Sequence, residues 1–160
     1  VELVPEQPRD ASEVEALYDL AFGPGRTALS SYRLRAGTDP VAGLSLVARD
    51  APTAPVAGAI RYWPVRVGSA PALLLGPVAV HPTHQGEGLG AALIRTSLDR
   101  AAATGWVRVM LIGDLPYYGR FGFRRLSDIA MPPPTNPDRI LGRGDWDGIG
   151  GTVTGVAGGG

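Results

Sequence analysis

Leu73-Leu74-Leu75-Gly76-Pro77-Val78-Ala79-Val80, then His81-Pro82-Thr83-His84 and the hexad Gln85-Gly86-Glu87-Gly88-Leu89-Gly90, lead into a segment running from Ala91 to Thr104. The first eight residues are a nearly continuous apolar run, as expected of a strand buried on both faces. After the loop, Leu89, Leu93, Ile94, Leu98, Ala101 and Ala102 make an apolar helical stripe, with Arg95, Asp99 and Arg100 towards the other side. Gly105 stops this helix, and Val107 to Ile112 reads as another strand. Strand, loop, helix and strand close as a right-handed parallel crossover, which makes the fold α/β.

The flanking sequence is mixed in the same way. Val1 to Val4 reads as a short strand. Past Pro8, the residues Ala11, Val14, Leu17, Tyr18 and Ala21 recur at helical spacing, and Asp10, Glu13 and Glu15 lie near the N-terminal end, where the helix dipole favours negative charge. Gly23-Pro24-Gly25 ends that helix, and a second short helix is expected within Thr27 to Arg35. Leu44 to Ala48 and Val56 to Val67 read as two strands of a hairpin, turning at Asp50-Ala51-Pro52. Beyond the crossover, Pro116 opens a short helix through Tyr117 and Tyr118, and Gly122-Phe123 begins a further strand. Pro132 to Pro137 is a loop, and a last strand falls around Gly151 to Val156. A single domain over residues 1–157 is expected, with Gly158 to Gly160 as a flexible tail.

Composition removes several mechanisms. At 160 residues the chain can bury a continuous core without metal or disulfide. Fifteen basic and fifteen acidic residues balance to zero, leaving no broad basic footprint for nucleic acid and no polybasic patch for a membrane. No apolar stretch approaches the roughly 18 residues of a membrane span, and no leader pattern opens the chain, so a cytoplasmic protein is expected. With no cysteine, thiol nucleophiles, thiolate zinc sites and disulfides are excluded. All fifteen basic residues are arginine; without lysine there is neither a Walker-type phosphate loop nor Schiff-base chemistry. A Gly-x-Ser-x-Gly elbow is absent as well.

Glycines at the start of a helix free backbone amides for an anion, so the hexad is a candidate phosphate loop, with a tight turn and no ligand as the plainer reading. Gly86, Gly88 and Ala91 formally satisfy the dinucleotide fingerprint Gly-x-Gly-x-x-Gly/Ala. Two details count against it. Five residues, His81 to Gln85, separate the strand from the first glycine, whereas that fingerprint turns directly after its strand. The acidic residue after the next strand, Asp114, also lies further on than the usual ~20 residues.

Val78-Ala79-Val80-His81-Pro82 followed by Gln85-Gly86-Glu87-Gly88-Leu89-Gly90 resembles motif A of the GNAT superfamily of acetyl-CoA-dependent N-acyltransferases, whose loop is Gln/Arg-x-x-Gly-x-Gly/Ala. Tyr118-Gly119-Arg120-Phe121-Gly122-Phe123 resembles the same family's Tyr-x-x-x-Gly-Phe segment. Ala21 to Gly25, Tyr32 to Arg35, Leu44 to Ala48 and Gly113 to Tyr118 are similar to the YhbS-like branch and are spread over most of the chain. The tail from Asp138 onward matches more loosely, and Trp146 and the three terminal glycines depart from the pattern.

This resemblance implies a GNAT fold, α/β (α+β), with a mixed central sheet of about six to seven strands, flanking helices, and acyl-CoA bound where the central strands splay. It implies an N-acetyltransferase that passes the acetyl group of acetyl-CoA, its cosubstrate, by direct attack of a primary amine on a small molecule or peptide, with no metal. Gln85, Gly86, Glu87, Gly88, Leu89, Gly90 and Ala91 would hold the pyrophosphate, with the Glu87 carboxylate pointing outward. Val78, Ala79 and Val80 would meet the pantetheine as if it were an added strand, and an amide near Val78 or Ala79 would face the thioester oxygen. Tyr118 takes the general-acid position, with Tyr117 as the alternative.

Other residues keep two readings each. His81 and His84 flank the loop and could take a proton, or stand as solvated loop histidines; with no third ligand they do not read as a metal site. Asp114 could orient an amine or cap the next helix. Tyr32, Tyr62, Trp63 and Trp146 could line an acceptor pocket or pack a core. Arg33 and Arg35 could draw an anionic acceptor or lie on a solvated face, and Asp145 and Asp147 would suit a cationic amine. Two further function classes stay open: a non-catalytic acyl-CoA-binding sensor or regulatory domain, and a small nucleotide-binding module. The expected state is a monomer or homodimer with no nucleic-acid or membrane partner.

Overall fold

Nine strands and four α-helices follow one another in the computed structural model, which describes residues 1–23, 26 and 30–156. They are β1 (Glu2–Pro5), α1 (Ala11–Phe22), α2 (Ser30–Arg33), β2 (Leu46–Arg49), β3 (Val56–Val67), β4 (Ala70–Val80), α3 (Leu89–Ala103), β5 (Arg108–Ile112), α4 (Leu115–Tyr118), β6 (Arg124–Arg125), β7 (Ile129–Ala130), β8 (Ile140–Gly144) and β9 (Gly151–Gly155). Gly23, at φ +82°, ends α1 as expected, because only glycine enters that region without strain. Pro24, Gly25, the expected helix start at Thr27 and the glycine tail lie outside the described residues.

The chain divides into two compact units. The first comprises Val1–Arg26, Pro40–Tyr62 and Gly76–Thr104. Within it β1 pairs antiparallel with β2, and β2 antiparallel with β3 from Leu46↔Ile60 onward. Period-two alternation gives β3 two different faces. On one, Ala59 packs with Val14, Leu17 and Tyr18 of α1. On the other, Gly58 leaves room for α3: a Cβ there would stand 3.0 Å from Leu93 Cδ1 and 3.2 Å from Leu89 Cδ2. Tyr62, four residues on, bonds Ser97 of α3 at 2.7 Å. Helices on both faces are why apolar and small residues occupy both faces of the first half of this strand, with Arg61 the exception.

The second unit comprises Thr27–Asp39, Trp63–Leu75 and Gly105–Gly160. Here Leu73 and Leu74 of β4 pair parallel with Val109 and Met110 of β5, as the crossover pattern predicts. The order continues through β8 to β6, both antiparallel joins. Val65–Val67 of β3 pair antiparallel with β9, and β7 runs parallel to β9. Trp63, Val65, Leu74, Met110, Ile140, Trp146 and Val153 form the core of this unit. The sheet is thus mixed, with helices flanking it, as the fold class requires.

The sequence reading lacks two strands, the two-residue β7 and the longer β8. In β8, Ile140-Leu141-Gly142-Arg143-Gly144 carries two glycines and no strand period, yet tertiary packing demands both glycines. A Cβ on Gly142 would stand 2.6 Å from Leu126 Cδ1 and 2.7 Å from Trp146 Nε1, and Gly144, at φ +95°, lies against the Val107 carbonyl. Among the described residues no helix is long and apolar enough to cross a membrane.

Candidate active site

The loop after β4 enters α3 through glycines in the left-handed region. Gly86 has φ +82° and Gly88, the N-cap of α3, has φ +77°; a Cβ at either would meet nothing within 4 Å. Both glycines therefore serve the backbone conformation, and the space beside them is open. The first bond of the helical ladder runs from Ala92 N to Gly88 O. The amides of Gly86, Glu87, Gly88, Leu89, Gly90 and Ala91 donate to no protein acceptor among the described residues. Six successive donors at the positive end of a fifteen-residue helix offer the amides and the dipole that an anion requires. Glu87 is exposed, in line with an outward carboxylate.

Upstream, Val78 and Val80 are half-buried and Ala79 is buried. His81 N donates to Ala57 O of β3 at 2.8 Å. By alternation along an antiparallel strand, residues 79 and 77 also face β3, while Val78 and Val80 turn their amides and carbonyls the other way. Gln85 confirms that direction: its side-chain amide donates to Val80 O at 3.2 Å. The first residue of the hexad thus ties the loop back to β4 and occupies one carbonyl that a pantetheine would otherwise meet.

The flanking histidines have structural work. His81 Nδ1 accepts from Thr83 N at 3.2 Å, Thr83 Oγ1 lies 2.8 Å from His81 Nδ1 and 2.9 Å from His84 Nδ1, and His84 Nε2 lies 2.8 Å from Asp50 Oδ2. That chain closes the short turn at Pro82–His84 and ties it to the residue following β2. Among the described residues no group of three metal-ligating side chains comes together.

Tyr118, in the second unit, ends α4. Its ring lies edge-to-face with Tyr117 at 5.0 Å and with Phe123 at 6.0 Å between centroids. Its hydroxyl makes no hydrogen bond among the described residues. Burial, seconded by Tyr117, pushes its pKa up to about 12. The seat of that ring is Gly113, which the sequence places in a family-like segment without giving it a role: a Cβ there would fall 2.7 Å from Tyr118 Cε2. Asp114 stands at the N-cap of α4, but its side chain makes no capping bond, and only its carbonyl joins the helix, accepting from Tyr118 N at 2.9 Å.

The expected acceptor pocket loses most of its aromatic wall. Tyr62 is fully buried, bonded to Ser97, while Trp63 and Trp146 are core residues, the latter donating from Nε1 to Arg143 O at 3.1 Å. Tyr62 and Trp63 fall on opposite faces of β3, each packed, and Trp146 turns inward just after β8. Tyr32 is half-buried with the Arg35 guanidinium 3.9 Å from its ring centroid; Arg35 is buried rather than solvated, and Arg33 is exposed. Asp145 and Asp147 are exposed, with Asp147 N donating to Asp145 Oδ1 at 3.1 Å.

Residues 12–123 match the profile described as the acetyltransferase (GNAT) family. The chain belongs to that family. This GNAT chain is 33% identical over 120 residues to the uncharacterized N-acetyltransferase YhbS of Escherichia coli K12, covering 74% of this chain and 70% of YhbS. It is 39% identical over 62 residues to the uncharacterized N-acetyltransferase YjhQ of the same strain, of whose length it covers 34%. Among solved structures it is similar to E. coli YhbS in complex with CoA, with a TM-score of 0.80 at 27% identity over 96% of this chain and 88% of that one. It is also similar to a GNAT family acetyltransferase from Brucella melitensis in complex with acetyl-CoA, with a TM-score of 0.64 at 33% identity over 90% of this chain and 92% of that one. The GNAT fold and the enzyme class implied by Val78 to Gly90 are those of this family.

Proposed function

We propose that this chain transfers the acetyl group of acetyl-CoA to a primary amine of a small molecule or peptide by direct attack. The observation that carries the reading is the row of six unengaged amides from Gly86 to Ala91 at the head of α3. They suit a pyrophosphate, and they do so without lysine, which this chain does not have. The structural neighbours held with CoA or acetyl-CoA support the same donor.

In the transfer, the amine nitrogen bonds to the thioester carbon, the carbon–sulfur bond breaks, the nitrogen gives up a proton and the sulfur ends with one. The residues assigned are Gln85 to Ala91 for the pyrophosphate and the stretch Val78 to Val80 for the pantetheine, with Val78 and Val80 presenting the backbone and Ala79 between them turned to β3. The Val78 N–H, turned away from β3, would donate to the oxygen that becomes negative.

Tyr118 is the proton-side residue, and its raised pKa defines how it acts. A phenol near 12 facing a thiolate whose thiol has a pKa of about 8.5 is a poor outright acid: the transfer is uphill by about 5 kcal/mol. Tyr118 then serves as a neutral hydrogen-bond donor that stabilises departing sulfur, and the proton that ends on sulfur comes from the acceptor nitrogen.

Calorimetry with CoA and thiol release from acetyl-CoA across an amine panel test this function. Binding with turnover on at least one amine is expected. Binding with no transfer to any amine would leave a regulatory acyl-CoA-binding domain, and NAD binding without CoA binding would leave a nucleotide module.

A further inference from the structure

Tyr18 of α1 is fully buried, and its hydroxyl donates to the carbonyl oxygen of Pro77 on β4 at 3.1 Å, across 59 positions of sequence. The Pro77 carbonyl and the Val78 N–H belong to one planar trans peptide unit, so they point in opposite directions. Pinning the oxygen therefore aims the amide. The direction agrees with the bond from His81 N to Ala57 O, which turns Val78 away from β3. A peptide group that accepts a hydrogen bond also becomes a better donor at its N–H, because the two bonds polarise one another.

The donor itself is held from several sides. The guanidinium carbons of Arg61 and Arg26 lie over the Tyr18 ring, 5.4 and 5.6 Å from its centroid. Arg61 bonds Glu6 at 2.8 and 3.0 Å and Glu15 at 2.6 Å, and Arg26 bonds Glu15 and also Asp19 at 3.0 Å. Glu15 thus bridges the two arginines over one ring. Packing alone asks nothing of the hydroxyl; phenylalanine would fill the same core.

We propose that Tyr18 is a positioning residue for acyl transfer, setting both the direction and the donor strength of the Val78 N–H through the Pro77 carbonyl. This rests on the function proposed above.

The test compares wild type with Tyr18→Phe. CoA carries no acyl oxygen, so its affinity is expected to stay within about twofold. On any amine that supports turnover, kcat is expected to fall about tenfold with KM for acetyl-CoA unchanged, less than the loss of an oxyanion donor outright. Isotope-edited infrared spectra of bound acetyl-CoA labelled at the thioester carbonyl read the same contact without any acceptor. The variant should lose about half of the downshift that binding to wild type produces. Wild-type kcat and an unchanged carbonyl band in a variant that binds CoA normally would overturn the proposal.

Should Tyr18→Phe bind no CoA, 3-fluorotyrosine at position 18 keeps the shape and strengthens the donor. A larger carbonyl downshift then supports the proposal, and an unchanged one overturns it. Failure of the underlying function looks different: wild type itself would bind no acetyl-CoA, and the inference would fall with it.

Discussion

The ring of Tyr118 lies where a side chain on Gly113 would stand, with Cε2 2.7 Å and Cδ2 2.9 Å from the place of a Cβ. Leu111 Cδ1 closes the same space at 2.8 Å. Gly113→Ala must therefore displace the ring or the end of β5. Overpacking of this kind costs about 1–3 kcal/mol, which denaturant titration would read. Lifting the ring towards water should also bring the Tyr118 pKa down towards 10, seen as an earlier phenolate step in a difference titration against Tyr118→Phe.

The raised pKa of Tyr118 sets an alkaline limit. A phenol near 12 is protonated throughout the range in which amines lose their protons, so kcat should show no descending limb below about pH 11. In the role proposed for Tyr118, its hydroxyl would donate to the departing anionic sulfur, a bond worth about 1.5–3 kcal/mol, so Tyr118→Phe should lower kcat roughly 10- to 150-fold. A limb near pH 9 that disappears in Tyr118→Phe would contradict the assignment. Stability has the same sign: the unfolded chain ionises first, so Tyr118's contribution is whole below pH 10 and is lost as pH rises to about 12.

Much of this was legible because pattern and packing agree. Val56 to Val67 matches the observed strand end to end, with Arg61 and Arg66 the interruptions in otherwise apolar or small residues, and α3 was legible because its stripe is regular and Gly105, at φ +94°, lies just past its end. The loop was legible because left-handed glycines at 86 and 88 have a local cause. What escaped depends on distant residues. Gly142 and Gly144 erase the period of β8, and only Leu126, Trp146 and Val107 explain them. Tyr62 and Trp63 are adjacent aromatics that point to opposite faces of β3, both into packed interiors, and residue type alone could not tell core from pocket. The seat at Gly113 and the bond from Tyr18 to Pro77 likewise join residues that no local signal connects.

Acid should unfold the chain through the carboxylates of its N-terminal segment. Burial works to raise the Asp10 and Glu15 pKa values, but bonds from Gln7 N and Arg49 to Asp10, and from Arg61 and Arg26 to Glu15, leave both below the usual range. Arg49, followed by Val56 N, does the same for Glu13. Depressed carboxylates stabilise above the unfolded pKa and lose that contribution as pH falls through the folded one. Asp10 and Arg49 are both largely buried, paired at 2.9 Å. Asp10→Asn should cost about 1–3 kcal/mol at neutral pH and flatten the loss of stability below about pH 4, because one proton-linked group is gone. An unchanged acid midpoint would show that the pair contributes nothing.

Glycine substitutions in the loop separate folding from binding. Gly88→Ala puts a Cβ into the left-handed region at φ +77°, which costs about 1–2 kcal/mol, although the side chain itself meets open space. Its stability and its CoA affinity should fall together. Gly90 lies instead in the first turn of α3, where alanine is the better helix former by about 1 kcal/mol. The loop pattern Gln/Arg-x-x-Gly-x-Gly/Ala admits alanine at this position, so Gly90→Ala should melt later than wild type at unchanged CoA affinity, whereas Gly88→Ala should lose both. Differential scanning fluorimetry and calorimetry with CoA on the same samples read both, and a Gly88→Ala protein that loses stability at full CoA affinity would move the pyrophosphate away from this loop.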